Sequence, residues 1–389
     1  MRVAHIITRM IVGGAQENTL FNCLDLRRMF GDDVLLITGP ETGPEGDLIQ
    51  QGRAGELPVR YVASLQRAIQ PTRDWAALRE LKRVLREFRP DVVHTHSAKG
   101  GMLGRMAAHA VGVPAIIHTV HGAPFHPYQR AAARELFRQC ERYAARRCHR
   151  LVSVAEAMTD MLVDAGVAPR DKFVTVYSGM DVEPLLAADS HRQRVREELG
   201  YRDEHVVVGK IARLFHLKGH EYVIDAARLV AEACPQVRFL FVGDGILRRP
   251  LEDRIAAAGL SDRFQFTGLV PPSRIPELIG AMDVLVHASL REGLARALPQ
   301  ALIAGRPAVI YDVDGAREVV LPGETGFLLP PKSIEPMANA LIELAGDESL
   351  RRGLGQGGRD RFTEQFRHEH MTRELRKLYE TVLAERAGE

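Results

Sequence analysis

The sequence predicts an α/β protein built from two doubly wound, parallel-sheet domains. Two observations carry this. Short apolar runs alternate with helical patterns along both halves of the chain, as in PDVVHTH, HVVVGKIARL and AMDVLVHA. Around residues 186–204 the sequence turns polar and charged, and a new strand pattern then begins. The domains are therefore placed at 1–185 and 186–365. A chain of 389 residues also suits two domains at roughly 150 residues each.

Composition narrows the class. With 46% hydrophobic and 26% charged residues, the chain reads as an ordinary globular protein. The formal net charge of +2 excludes neither a nucleic acid nor a membrane surface, so the distribution of charge decides. The four cysteines have neither framework nor metal-ligand spacing and suit a reducing cytoplasm. No stretch approaches about 18 uninterrupted apolar residues, so no membrane span is expected. MRVAHIITRMIVGGA shows no clear signal-peptide cleavage site.

In order, RVAHIIT (2–8) reads as a first strand, followed by Gly13-Gly14 and a helix from Ala15 to about Phe30. Adjacent glycines between a strand and a helix let backbone N–H groups approach a ligand at the positive helix end; the plainer reading is a tight turn. DVLLIT is the next strand, residues 73–88 a helix, and PDVVHTHSAKGG a buried strand with a His-x-His pair at its end. VPAIIHTVHGAPF repeats the pattern and ends in His121-Gly122. His94, His96 and His121 thus lie near the carboxyl ends of two strands. No nearby acid or cysteine completes a metal set, so no metal is expected. His121 is read as a cleft residue that bonds or carries charge near neutral pH. His94 is expected to face away from His96 and to be the packed member.

Residues 127–150 read as one helix with arginines at 130, 134, 138, 142, 146 and 150. At four-residue spacing the row drifts by about 40° per step. Leu136, Phe137, Cys140 and Tyr143 supply its apolar side. Two readings stand: a solvated face with Glu135 and Glu141 as partners, or an in-plane contact with anionic lipid.

The second half holds GKIARLFHLKG, with Arg213 and Lys218 ahead of a helix amino terminus, an arrangement suited to a diphosphate. VRFLFVGDG and FQFTGLV, ending in Gly268, are strands. AMDVLVHA then leads into Glu292-Gly293, an apolar helix ending at Gly305, and the strand PAVIYD. In parallel sheets ligands gather at the carboxyl ends of strands, where Glu292 falls. The plainer reading of Glu292 is a helix-capping acid.

The ordered set IARLFHLKG, FLFVGDG, FTGLV, DVLVHASLREGLARALPQALIAGRPAVIYDVDGARE and ETGFLLPP resembles the carboxyl half of the retaining glycosyltransferases of family 4 (group 1 type). IVGGAQ, PDVVHTHSAKGG, TVHG, VSVAEAM and VYSGMD resemble the amino half. The resemblance implies the GT-B fold, two Rossmann-like domains facing a cleft, with a carboxyl-terminal helix, about 366–389, joining the first domain. It implies transfer of a sugar from a nucleotide-diphosphate sugar, UDP-linked by preference, to a saccharide acceptor, lipid-linked in surface polysaccharide or glycolipid assembly. It requires no metal and no cofactor, the nucleotide sugar being a substrate, and implies no nucleic-acid partner. The place is the cytoplasm, at the inner face of the membrane if the basic helix touches lipid.

By motif, the resemblance gives Arg213 and Lys218 the diphosphate and leaving group. Glu292 takes the sugar hydroxyls, and the backbone of Gly293, Leu294 and Ala295 the sugar and phosphate oxygens. His121 stands beside the reacting sugar, Gly14 and Gly268 lie on the donor side, and Gly13, Gln16 and His96 line the acceptor or cleft side. One position departs: Gln300 stands where the family has a second acid for the ribose, and a glutamine lacks the carboxylate's charged acceptors. A GT-B nucleotide-sugar epimerase and a non-catalytic sugar-nucleotide binder remain as alternatives.

Overall fold

The computed structural model describes residues 1–40, 48–49, 55 and 57–388. Contacts group the chain into two compact units, Met1–Met180 with Phe366–Glu389, and Asp181–Gln365. The division thus falls just ahead of the 185/186 position marked by the composition change.

The first unit runs β1 (Arg2–Ile7), α1 (Gly14–Phe30), β2 (Asp33–Thr38), β3 (Val59–Tyr61), α2 (Pro71–Phe88), β4 (Val92–His96), α3 (Ala98–Val111), β5 (Ala115–Val120), α4 (Ala131–Ala145), β6 (Arg150–Ser153), α5 (Glu156–Asp164) and β7 (Phe173–Thr175). The second runs α6 (Glu183–Leu186), α7 (Arg192–Glu198), β8 (Val206–Ile211), α8 (His220–Ala233), β9 (Val237–Val242), α9 (Arg248–Ala257), β10 (Phe264–Gly268), α10 (Arg274–Ala281), β11 (Val284–His287), α11 (Ala297–Ile303), β12 (Ala308–Tyr311), β13 (Gly326–Leu329), α12 (Ile334–Gly346) and α13 (Glu348–Phe362). Helix α14 (His368–Ala387) returns to the first unit.

The sheets are parallel, in the orders β3-β2-β1-β4-β5-β6-β7 and β10-β9-β8-β11-β12-β13. Helices cover both faces of such sheets, which is why the central strands read as unbroken apolar runs rather than alternating ones. In each sheet the order reverses beside its first strand, between β1 and β4 and between β8 and β11. The loops leaving those strands open a crevice at the carboxyl edge, the place where doubly wound sheets bind ligands. The short β3 was not visible as a strand in the sequence: its VRY has two exposed residues, and among the described residues it pairs with β2 alone.

Helix α14 docks by an apolar stripe, Met371, Leu375, Leu378, Tyr379 and Val382, which joins the core of the first unit. Burying each such side chain is worth about 1.5–3 kcal/mol, so the return is a firm one. Polar contacts set its register: Arg376 pairs with buried Asp32 at 2.8 Å, and His368 Nδ1 meets Asp25 at 2.6 Å.

Candidate active site

In the second unit, β8 and β11 deliver their loops side by side. Leu290 donates its N–H to Leu217 O at 2.8 Å, tying the two loops together. Gly219 sits between them with φ 66°; a Cβ there would lie 1.9 Å from Ala288 O, so only glycine fits this close approach. Lys218 Nζ donates to Glu292 Oε1 at 2.5 Å, and His287 Nε2 stands 3.3 Å from the same oxygen. Burial works against a charge on Glu292, but the His287 hydrogen bond and the Lys218 charge outweigh it and hold the carboxyl well below the usual range. The Glu292 N–H in turn donates to Asp314 Oδ2 at 2.6 Å, and Gly315 N to Gly293 O at 3.2 Å. Glu292 is therefore a built, ionised group rather than a loose helix cap.

The next three residues have a different property. Gly293, Leu294 and Ala295 donate no backbone N–H to a protein acceptor among the described residues. Three consecutive donors beside Lys218 form a ready cradle for anionic or hydroxyl oxygens. Arg213 is exposed, lies 5.1 Å from the Phe215 ring centroid and makes no ion pair among the described residues. Gly268 ends β10 with φ 71°, a left-handed turn that suits glycine. Gln300 is half-buried in the first turn of α11, eight residues beyond Glu292 in the chain, and its side chain makes no hydrogen bond among the described residues. The broad groove lined by Asp189, Arg192, Asp283, Arg306 and Arg359 lies at the opposite, amino-terminal edge of this sheet, away from that chemistry.

In the first unit, Gly13 is extended (φ 177°), and an added Cβ would meet only the end of the Gln16 side chain. The backbone does not need glycine here. Gln16 Nε2 reaches Arg9 O at 3.4 Å, and α1 begins at Gly14. The histidines correct the sequence reading. His94 does not face away from His96: residues two apart on a strand share a face, and their ring centroids are 4.3 Å apart. Nor is His96 a surface group. It is fully buried, with Nδ1 3.1 Å from His121 Nε2 and Nε2 3.0 Å from His5 Nδ1. His96 stands behind His121.

The ring nitrogens of His5, His94 and His96 lie within 4.8 Å of one another. Both nitrogens of His94 are nonetheless taken by Tyr379 and Thr119, and both of His96 by its neighbours; the set holds no carboxylate. Its chemistry is a chain of imidazole hydrogen bonds. Burial pushes His5 down to about 3 and His94 and His96 well below their ordinary value, so all three are neutral at pH 7. His5 Nε2 is buried without a partner among the described residues. An orphaned N–H is rarer and costlier than a bare lone pair, so Nδ1 of His5 carries the proton and donates outward. His96 Nδ1 then donates to His121 Nε2, which fixes His121 as an acceptor at that nitrogen.

The basic helix is shorter than predicted. Helix α4 ends at Ala145, and Arg150 belongs to β6, where it pairs with Glu385 at 2.7 Å. Arg138 is held by Glu135 and donates to Ala165 O at 2.8 Å. Glu141 serves no arginine of the row: it is buried and pairs with Arg105 of α3 at 3.0 Å. Arg134, Arg142 and Arg146 are left exposed, beside Leu136 (59% exposed) and Tyr143 (43%).

Two doubly wound parallel sheets, with an acid, two cations and free backbone donors at a switch point of the second, are the architecture of the GT-B class of enzymes. The comparisons agree. Residues 191–361 match the model of the glycosyl transferases group 1, and residues 13–179 that of the glycosyl transferase 4-like domain. A Bacillus subtilis protein named as a glycosyltransferase, EpsD, is 30% identical over 74% of this chain and 77% of its own. The UDP-Gal:alpha-D-GlcNAc-diphosphoundecaprenol alpha-1,3-galactosyltransferase of Escherichia coli is 28% identical over 90% of this chain and 89% of its own. HepE of Anabaena, solved with UDP, superposes with a TM-score of 0.82 at 21% identity, covering 98% of this chain and all of that one (100%), which shows the fold. This chain belongs to the group 1 glycosyltransferases. Sequence reading missed His287 and Asp314 as the neighbours that fix Glu292; an acid directly before glycine at the end of β12 was the available signal for Asp314.

Proposed function

We propose that this chain is a retaining, metal-independent glycosyltransferase that moves a sugar from a UDP-sugar to a lipid-linked saccharide in surface polysaccharide or glycolipid assembly. The observation that carries the reading is the Lys218–Glu292 pair beside the unpaired N–H groups of Gly293–Ala295, with Arg213 in the same loop as Lys218. Cations there stabilise the negative charge that develops on a departing diphosphate, the role a metal would otherwise fill. Glu292 accepts from sugar hydroxyls. Retention is what the family resemblance implies, with the donor phosphate itself taking the acceptor proton. The Escherichia coli relative supports a UDP-linked donor and a diphospholipid acceptor, and HepE supports UDP. A GDP-mannose-dependent relative marks the base as the point to test. Incubation with a panel of UDP-, GDP- and ADP-sugars, read by mass spectrometry and by NMR of the anomeric configuration, tests the reading. No turnover with any donor, or an inverted product, refutes it.

Gln300 gives a second expected result. An amide that accepts one ribose hydrogen bond is weaker than a carboxylate, since a charge-assisted bond is worth about 1.5–3 kcal/mol. Gln300→Glu should therefore tighten UDP binding about tenfold in calorimetry; unchanged or weaker binding places the ribose elsewhere.

The acceptor side includes the membrane. No helix among the described residues is long and apolar enough to cross one. Exposed Leu136 and Tyr143 between Arg134, Arg142 and Arg146 suit in-plane contact with anionic lipid, on the cytoplasmic face. Flotation with vesicles of anionic and neutral lipid should show binding to the first only, lost when all three arginines are changed to glutamate. Equal flotation of the triple variant refutes the contact.

A further inference from the structure

The apolar strand β8, VVVGKI, contains a lysine. Lys210 is fully buried, lies in register with Phe241 of β9, and its Nζ has no hydrogen-bond partner among the described residues. It is not alone. At the same carboxyl edge, both ring nitrogens of His220, Nδ1 of His287 and Oγ of Ser289 are also buried without partners among the described residues. Native proteins leave few such atoms, and each calls for an explanation. The charge on Lys210 acts on His220 and His287, and Lys210 in turn feels Lys218, Glu292 and Glu221. These groups come from the β8–α8 loop, the first turn of α8, the end of β11 and the loop after it.

The site contains a conflict that Lys210 resolves. Glu292 is paired to Lys218, while His287 is kept neutral by burial. The proposed function assigns Lys218 to the donor's diphosphate. When Lys218 turns to the phosphate, Glu292 would be left as a half-buried carboxylate without a cation, a costly state. We propose that Lys210 is the reserve cation of the donor site, a positioning residue that pairs with Glu292 once the diphosphate has drawn Lys218 away. This rests on the proposed function. Burial first, and then Lys218, push the Lys210 ammonium down to about 7. In the empty site the amine is therefore partly neutral, which relieves the crowding of positive charge at the α8 amino terminus. An arriving diphosphate and a freed Glu292 both favour the ammonium. The step is simple protonation: R–NH2 takes one proton from solvent and becomes R–NH3+, so donor binding takes up a proton.

The first test needs no nucleotide. In protein carrying 13Cε-labelled lysine, with the Lys210 signal assigned by its loss in Lys210→Met, Lys210 should titrate near pH 7. Lys218→Met should raise that midpoint by a unit or more, because it removes a repelling charge and frees Glu292. Glu292→Gln should then lower the midpoint by more in the Lys218→Met background than in wild type; an equal or smaller drop means that no new pairing with Glu292 forms, and overturns the proposal. The second test is UDP calorimetry at pH 8 in two buffers of different ionisation enthalpy. Wild type should take up more protons than Lys210→Met; equal uptake also overturns it. Absence of any UDP binding counts against the proposed donor, and the nucleotide-free titration still decides the role of Lys210.

Discussion

Lys218→Met and Arg213→Met should each lower kcat/KM by about 10²–10³, with most of the loss in kcat. Loss of one preorganised charge at a developing anion has that magnitude, and the effect is larger in the transition state than in the bound donor. The two variants should differ in a second respect. Arg213 makes no ion pair among the described residues, so its removal takes no charge partner from the empty site. Removing Lys218 also takes the short-range cation from Glu292; with buried Lys210 as its replacement, the carboxyl should rise only part of the way from its depressed position. A depressed acid contributes stability above its unfolded value of about 4.3, and that stability is lost as pH falls through the folded value. Wild type should therefore outlast Lys218→Met in thermal melts at neutral pH, and the gap should close under acid. Steady-state kinetics on the donor found by the panel settle the first claim: either variant keeping more than half of wild-type kcat/KM refutes a role on the leaving group.

Arg105→Met should cost about 3–5 kcal/mol of stability. Arg105 is fully buried on α3, where its Nε donates to Gly101 O at 2.9 Å and its Nη2 meets Glu141 Oε2 at 3.0 Å. Glu141, on α4, is only 5% exposed. Taking the arginine away strands a carboxylate between two helices, and desolvation makes that worse than losing the pair outright. Differential scanning calorimetry should show a drop of roughly 10 °C in the Tm of the first unit, from about 2–4 °C per kcal/mol in a unit of roughly 150–250 residues. Adding Glu141→Gln should recover most of it. A single variant that melts within about 2 °C of wild type would show the pair to be energetically idle.

That pair also marks the limit of sequence reading. Glu141 lies one residue from Arg142 and inside an arginine row, so local spacing assigned it to the row. The structure gives it to Arg105, 36 positions away. The row itself ends when α4 stops at Ala145 and the chain turns into β6, a boundary that the regular spacing of arginines concealed. His94 and His96 show a different error: the period of a strand puts residues two apart on one face, and the buried chain from His5 to His121 follows from it. Lys210, a charge inside an apolar strand, was passed over in the sequence, because nothing local shows that its neighbours are charged.

What the sequence determined by itself is the sheet architecture and the loops that carry chemistry. Both are written in short-range terms: apolar runs, glycines and charges placed directly after strands. Arg213, Lys218 and Glu292 could be named because each follows a strand that announces itself; the Gly293–Ala295 segment came from the family resemblance. The tertiary structure alone decided that β8 and β11 are neighbours, and with that, that Lys218 meets Glu292 across 74 positions of chain. Strand order sets which loops share an edge, and burial sets which charges survive there. Neither is a local property, because both depend on what the rest of the chain excludes from water.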